Sequence, residues 1–135
     1  MAEMMDRLLA AMNVHDLDAF VACFATDYDS RQPAHPNRAF RGRDQVRKNW
    51  EGVFAGVPDF TAELVLATVA EGGVEVGEWH WHGTFTDGSP FGMEGVIVAG
   101  VGQGEIVWGR LHMEPIEQDG MDIDEMVQAT YRPDG

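Results

Sequence analysis

With 135 residues, 44% of them hydrophobic and 24% charged, the chain has the composition of one ordinary globular domain with a single core. Twenty-three acidic against nine basic residues give a formal charge of −14, which repels nucleic acid and anionic membrane surfaces and excludes both as expected partners. The one cysteine, Cys23, cannot form an internal disulfide and fits a reducing compartment; within FVACF it reads as a small buried hydrophobe. No stretch approaches the roughly 18 apolar residues of a membrane helix. The start, MAEMMDRLL, reads as amphipathic helix rather than signal peptide, so a cytoplasmic location is expected.

In chain order, Met5, Leu8, Leu9 and Met12 fall at i, i+3, i+4 and i+7, which predicts a first helix ending near Asn13. Asp16 is positioned to cap a second, with Leu17, Phe20, Val21 and Phe24 as its stripe. The segment YDSRQPAHP is extended, and Pro33 and Pro36 deny it the place of a central strand. Gly42–Arg43–Asp44 opens a third helix with Val46, Trp50, Val53 and Phe54 on one face, stopped by Gly56 and Pro58. From Phe60 the period changes to two. FTAELVLATVA, VEVGEWHWHGTF, FGMEGVIVAGV and EIVWGRLHMEP read as four strands joined by EGG, TDGSP and GQG, an antiparallel meander. Gly102–Gln103–Gly104 is a hairpin turn rather than a phosphate loop, since no helix follows it. The acidic tail holds one short helix at most.

Three helices followed by a meander define an α+β domain, the helices packed on a strongly curved antiparallel sheet with a conical cavity between them. It is expected to be a single domain over residues 1–135, with its core in about 1–115 and a tail over 116–135.

Within GEWHWHGTF, residues 77–85, alternation puts Trp79 and Trp81 on one strand face and Glu78, His80 and His82 on the other. Histidines facing inward would make half a metal site, completed by His112 and Glu114 of the last strand; imidazoles with a carboxylate suit zinc or non-haem iron. Tryptophans facing inward would make an apolar pocket wall. Alternation alone leaves both open. Tyr28, Ser30 and Gln32 share one face of the extended segment. His35, between two prolines, is a natural general acid or base, and Gln32 could orient a substrate or polarise a carbonyl. There is no Gly-x-Ser-x-Gly, and Cys23 has no evident histidine partner in sequence, so covalent catalysis is not expected.

The chain resembles the nuclear-transport-factor-2-like superfamily and, within it, the SnoaL-like domain proteins. NVHDLDAFVACFATDY, FRGRDQVRKNW, HGTFTDGSPFGMEG and GEIVWGRLHMEP carry the resemblance, which runs to about Pro115. The resemblance implies a helix-backed conical pocket, the YDSRQPAHP segment across its mouth, and a homodimer. The catalytic residues of characterised relatives are absent at the matching positions. Leu8 stands where ketosteroid isomerases resemble one another in a tyrosine, and Gln32 where they place an aspartate. Trp79, Trp81 and Leu111 replace the arginine and aspartates of limonene epoxide hydrolases, and no inward aspartate of the SnoaL cyclase kind is evident on the last strand. The match implies that Trp79 and Trp81 face inward, with Met93, Leu111, Met113 and Trp50 completing the pocket. Arg110, His112 and Glu114 then lie on the convex face, which would serve a two-fold interface.

The leading expectation is a protein that binds a small apolar molecule and performs acid/base chemistry (isomerisation, cyclisation, dehydration or hydrolysis) through His35 and Gln32, with no cofactor. A polyketide or terpenoid fragment would suit the pocket. The alternatives are a binding module without chemistry and a metalloenzyme on the His80/His82/His112 face.

Overall fold

The computed structural model describes residues 2–133. Met4, Met5, Leu8, Ala11 and Met12 are buried along one side of α1 (Glu3–Asn13), the expected stripe. The N-cap, Ala2, has no side chain to offer the first-turn N–H groups. Glu75, a buried residue of β4, replaces it: its carboxylate accepts from the backbone N–H of Met4 at 3.1 Å and of Met5 at 2.9 Å. A negative group also complements the positive end of the helix. One acidic side chain from the sheet thus fixes where the first helix begins.

Asp16 caps α2 (Leu17–Ala22) as expected, accepting from Ala19 N–H at 3.0 Å. The helix ends earlier than its apolar stripe predicts. Cys23 caps it, the Cys23 carbonyl accepts from Ile106 N–H at 2.7 Å, and Phe24 begins a strand. That strand, β1 (Phe24–Arg31), corrects a second expectation. It lies inside the sheet, between the two-residue β2 (Phe40–Arg41) and β6 (Glu105–Pro115). The prolines do bar pairing, but only from Pro33 onward, where the chain turns through Pro36–Arg38.

α3 (Arg43–Gly56) and the four long strands fall where the sequence places them: β3 (Thr61–Val69), β4 (Val74–Thr84), β5 (Pro90–Gly102) and β6. The order across the sheet is β2-β1-β6-β5-β4-β3. The meander is antiparallel, but β1 joins β6 in parallel, so the sheet is mixed. The β5–β6 turn has positive φ at both Gln103 and Gly104, the geometry of a hairpin turn matched to strand twist. Irregularities at Leu64–Leu66, Gly100–Val101 and Phe24–Asp29 interrupt three ladders and help bend the sheet around the helices. The tail forms α4 (Ile123–Tyr131), opened by a capping box of Asp122 and Glu125 and burying none of its residues.

The α1–α2 turn is stitched to the start of β3. Asn13 donates to the Ala62 carbonyl at 2.9 Å and accepts from its N–H at 2.7 Å, pairing like a short piece of strand. His15 lies 2.8 Å from the Phe60 carbonyl through Nε2 and stacks on Phe54 with ring centroids 4.6 Å apart. Both side chains therefore serve the fold.

Replacing Glu75 by Ala leaves the Met4 and Met5 N–H groups buried without acceptors, which costs about 2–3 kcal/mol. Urea unfolding should show that loss, Glu75→Gln should recover part of it, and an unchanged midpoint would contradict the capping role.

Candidate functional site

Strand alternation sends Trp79 and Trp81 inward; Trp79 is fully buried and Trp81 nearly so. His80 and His82 face outward. The two indoles have different fates. Trp81 borders a cavity of about 90 Å³ between the helices and the sheet. Trp79 lies deeper, in the core cluster, and is not part of the cavity wall. Neither indole N–H has a hydrogen-bond partner, contrary to the usual behaviour of buried tryptophan.

Three helices and the sheet build the cavity together. Leu8 and Met12 come from α1, Phe20 from α2, and Val46, Asn49 and Trp50 from α3. Ile97, Ala99, Ile106 and Leu111 form its floor. Trp50 stands edge-on to Trp81 at 5.4 Å and packs on Phe20 at 4.4 Å, so aromatic rings set its width. Apart from Asn49 the wall is apolar except along β1 and its extension, where Tyr28, Ser30 and Gln32 line it in the expected alternation.

Tyr28 sits over Gly109 on the neighbouring strand; a methyl group there would collide with the tyrosine hydroxyl. Gly109 thus makes room for the one phenol of the cavity. Burial pushes the Tyr28 hydroxyl above its ordinary pKa, and Asp29 adds to the rise, while a Ser30 hydrogen bond and Arg110 oppose it. It stays protonated at neutral pH and can donate a hydrogen bond.

Several expected site residues lie elsewhere. His35 does not line the cavity: its Nε2 is 2.6 Å from Glu114 Oε1, in a partly exposed pair. The turn from Gln32 to His35, closed by His35 N–H donating to the Gln32 carbonyl at 2.7 Å, carries it to Glu114 of β6. Gln32 reaches the cavity rim, and its side-chain oxygen accepts from Arg38 Nη1 at 3.0 Å. Met113 is buried in the core, and Met93, opposite Trp81 on the inner face, packs against that core and borders a separate recess with Phe85, Phe91 and Ile116. The alternative metal set does not assemble either. β5 lies between β4 and β6, so His80 faces Glu94 while His112 faces Val96. His80 and His82 instead turn to Glu63 at 3.4 and 3.5 Å. Among the described residues no three His, Cys, Asp or Glu side chains converge as a metal site. Cys23 is buried, with its thiol pushed above the ordinary range by desolvation and its S–H directed at the Ala19 carbonyl.

Sequence reasoning missed Phe20, Phe24, Phe40 and Asn49 as cavity residues. Gly109 was expected on the inward face of the last strand beside Leu111, and both border the cavity. Asn49 and Phe40 depend on how α3 and β2 close the mouth, which no local pattern states.

The geometry is that of a small α+β cone. Residues 5–109 match the model of the SnoaL-like domain, and the chain belongs to that family. Solved structures share the fold. One is a protein with a ketosteroid isomerase-like fold from Catenulispora acidiphila in complex with trimethylamine (18% identity, 80% of this chain and 82% of that one, TM-score 0.69). Another, from Mycobacterium tuberculosis, is in complex with estradiol-17β-hemisuccinate (15% identity, 90% and 93%, TM-score 0.70). A third is a cystatin-fold protein from Novosphingobium aromaticivorans (24% identity, 86% and 97%, TM-score 0.64). At these identities the likeness is one of fold alone. No curated protein matches the chain.

The raised Tyr28 pKa has a sign that can be checked. The folded chain holds the phenolic proton more tightly than the unfolded one. Its contribution to stability is therefore complete below about pH 10 and lost as pH rises through the folded value. In a Tyr131→Phe variant, ultraviolet titration should find Tyr28 ionising above the free tyrosine value, and Ser30→Ala should move it higher still. Ionisation at or below the free value would refute the buried, donor-ready phenol.

Proposed function

We propose that the chain binds a small, largely apolar molecule bearing one oxygen acceptor, a carbonyl or hydroxyl, with its body among the aromatic rings and its oxygen at Tyr28. The carrying observation is the pairing of an apolar cavity with a single protonated phenol in its wall. Structures of this fold hold ligands as different as trimethylamine and estradiol-17β-hemisuccinate, so the fold itself does not choose a size. The volume here argues for the small end: about 90 Å³, against the roughly 150 Å³ of an engineered cavity that admits benzene. A polyketide-sized ligand would require Trp50 to swing away from Trp81.

Binding ranks ahead of catalysis because no carboxylate or imidazole lines the cavity among the described residues, and a phenol alone has no base to partner it. The catalytic reading keeps one supporting feature. Tyr28 could protonate or polarise a carbonyl without a cofactor, with Gln32 at the rim as a second polar group. On this reading Tyr28→Phe abolishes turnover, whereas His35→Ala leaves it unchanged because His35 is engaged outside with Glu114.

We also propose a homodimer through the outer sheet face. Val76, Val96 and Val98 are only half-buried there and Leu66 is 56% exposed, beside polar His80, His112 and Glu78. This mixture suits a self-complementary contact. Light scattering should give twice the chain mass at micromolar concentration and the monomer mass for Val98→Glu; a monomeric parent protein would reject the dimer.

For the cavity, cyclopentanone and cyclopentane are a matched pair of probes. Both should change tryptophan emission on binding, since Trp50 and Trp81 line the space. Tyr28→Phe should weaken cyclopentanone about tenfold, the worth of one hydrogen bond of about 1.4 kcal/mol, and leave cyclopentane unaffected. Equal effects on both would remove Tyr28 as the polar anchor.

A further inference from the structure

Arg31 and Arg110 stand directly opposite each other on the adjacent parallel strands β1 and β6. Alternation places both on the outer face, since their neighbours Ser30 and Gly109 are buried on the inner one. Like charges in such cross-strand positions oppose the pairing of the strands. One acid offsets the conflict only in part. Asp29 is the one carboxylate nearby, 3.6 Å from Arg31 Nε and 3.5 Å from Arg41 Nη2, both longer than a charge-assisted hydrogen bond. Arg110 has no acidic partner among the described residues. It is held by the protein in another way: Nη1 donates to the Gly109 carbonyl at 3.2 Å, and the guanidinium lies 4.9 Å from the centre of the Trp108 ring.

Arg31, Arg41 and Arg110 border an open outer groove of about 650 Å³, within the range of small-molecule sites. Arg38 is anchored to Gln32, which lines the same groove. Four of the chain's nine basic residues therefore gather around one carboxylate in a protein of charge −14. Gln32 and Phe40 border both the groove and the inner cavity, and so form the partition between them.

We propose that this groove binds the carboxylate or phosphate group of a small anionic molecule, clamped between Arg31 and Arg110 and covered by Arg41. The planar guanidinium fork suits such oxyanions, and one bound between the two strands would turn their mutual repulsion into a shared attraction. The strongly acidic remainder of the chain disfavours a long polyanion while leaving a compact one within the local field of the arginines. The site does not depend on the cavity ligand, and it lies at the edge of the proposed dimer contact, since Arg110 is the cross-strand partner of Val98.

Calorimetric titration at low ionic strength, with inorganic phosphate in one arm and succinate in another, tests the proposal. Saturable binding of either anion is expected, and the arm that binds more tightly names the group. Arg31→Gln and Arg110→Gln should each weaken it at least tenfold. Arg47→Gln removes an equal charge from an arginine already 2.8 Å from Asp18, and should change affinity less than twofold. Thermal melting adds a readout that a purely structural role would not give. Arg31→Gln should raise the melting temperature in anion-free buffer, by relieving the cross-strand repulsion, and should abolish the rise that the anion produces in the parent protein. Absence of saturable binding in both arms would overturn the proposal, as would losses for Arg47→Gln as large as those for Arg31→Gln.

Discussion

The edge-on contact of Trp50 with Trp81, 5.4 Å between ring centres, sets how far the third helix stands from the sheet. Around it Phe20, Phe54 and Phe60 pack against the same Trp50 ring, so α2, α3 and the start of β3 are referred to one side chain. Rings are stiff and large, and a gap between them cannot be closed by small adjustments. A residual space therefore survives in the narrow part of the cone, next to the glycine that admits Tyr28. The cavity is a consequence of how the core is filled.

What the cavity can do chemically follows from what the chain has placed in its wall. The inner face of the sheet offers two indoles and a leucine there. One indole, Trp81, and Leu111 border the space, while Trp79 has become core. A water-poor wall strengthens any hydrogen bond made inside it, and Tyr28 is the group best placed to make one. The charged side chains that could have supplied acid–base pairs are spent on the outside. His35 meets Glu114, His80 and His82 meet Glu63, and Asp29 is shared between two arginines. Polar chemistry on the outer face and apolar packing on the inner one are two results of a single alternation.

The same alternation explains how much could be read from the residues alone. Period-two runs from Phe60 to Pro115 located four strands almost to the residue, and the inward direction of Trp79 and Trp81 followed once the fold was recognised. The face shared by Tyr28, Ser30 and Gln32 was legible for the same reason. Three features were not. β1 was hidden because its partner, β6, lies some eighty residues away, and a parallel pairing leaves no hairpin signal. Glu75 shares the inward face of β4 with Trp79 and Trp81, but the two unpaired N–H groups that α1 brings to it leave no local pattern. His35 looked catalytic because an exposed histidine between prolines carries no mark of the glutamate it will meet 79 positions later. Each miss concerns a contact distant in sequence, where local periodicity says nothing.

The central claim is that ligands enter the space between the helices and the sheet. It is tested most directly by methyl-labelled nuclear magnetic resonance during titration with cyclopentanone. The account predicts saturable shifts of the Met12, Ile97, Ile106 and Leu111 methyl signals, with the Val65 and Val107 methyls on the exposed strand surfaces unmoved. Saturable binding that leaves the four cavity methyls in place, or no binding up to the solubility of the ketone, would contradict it.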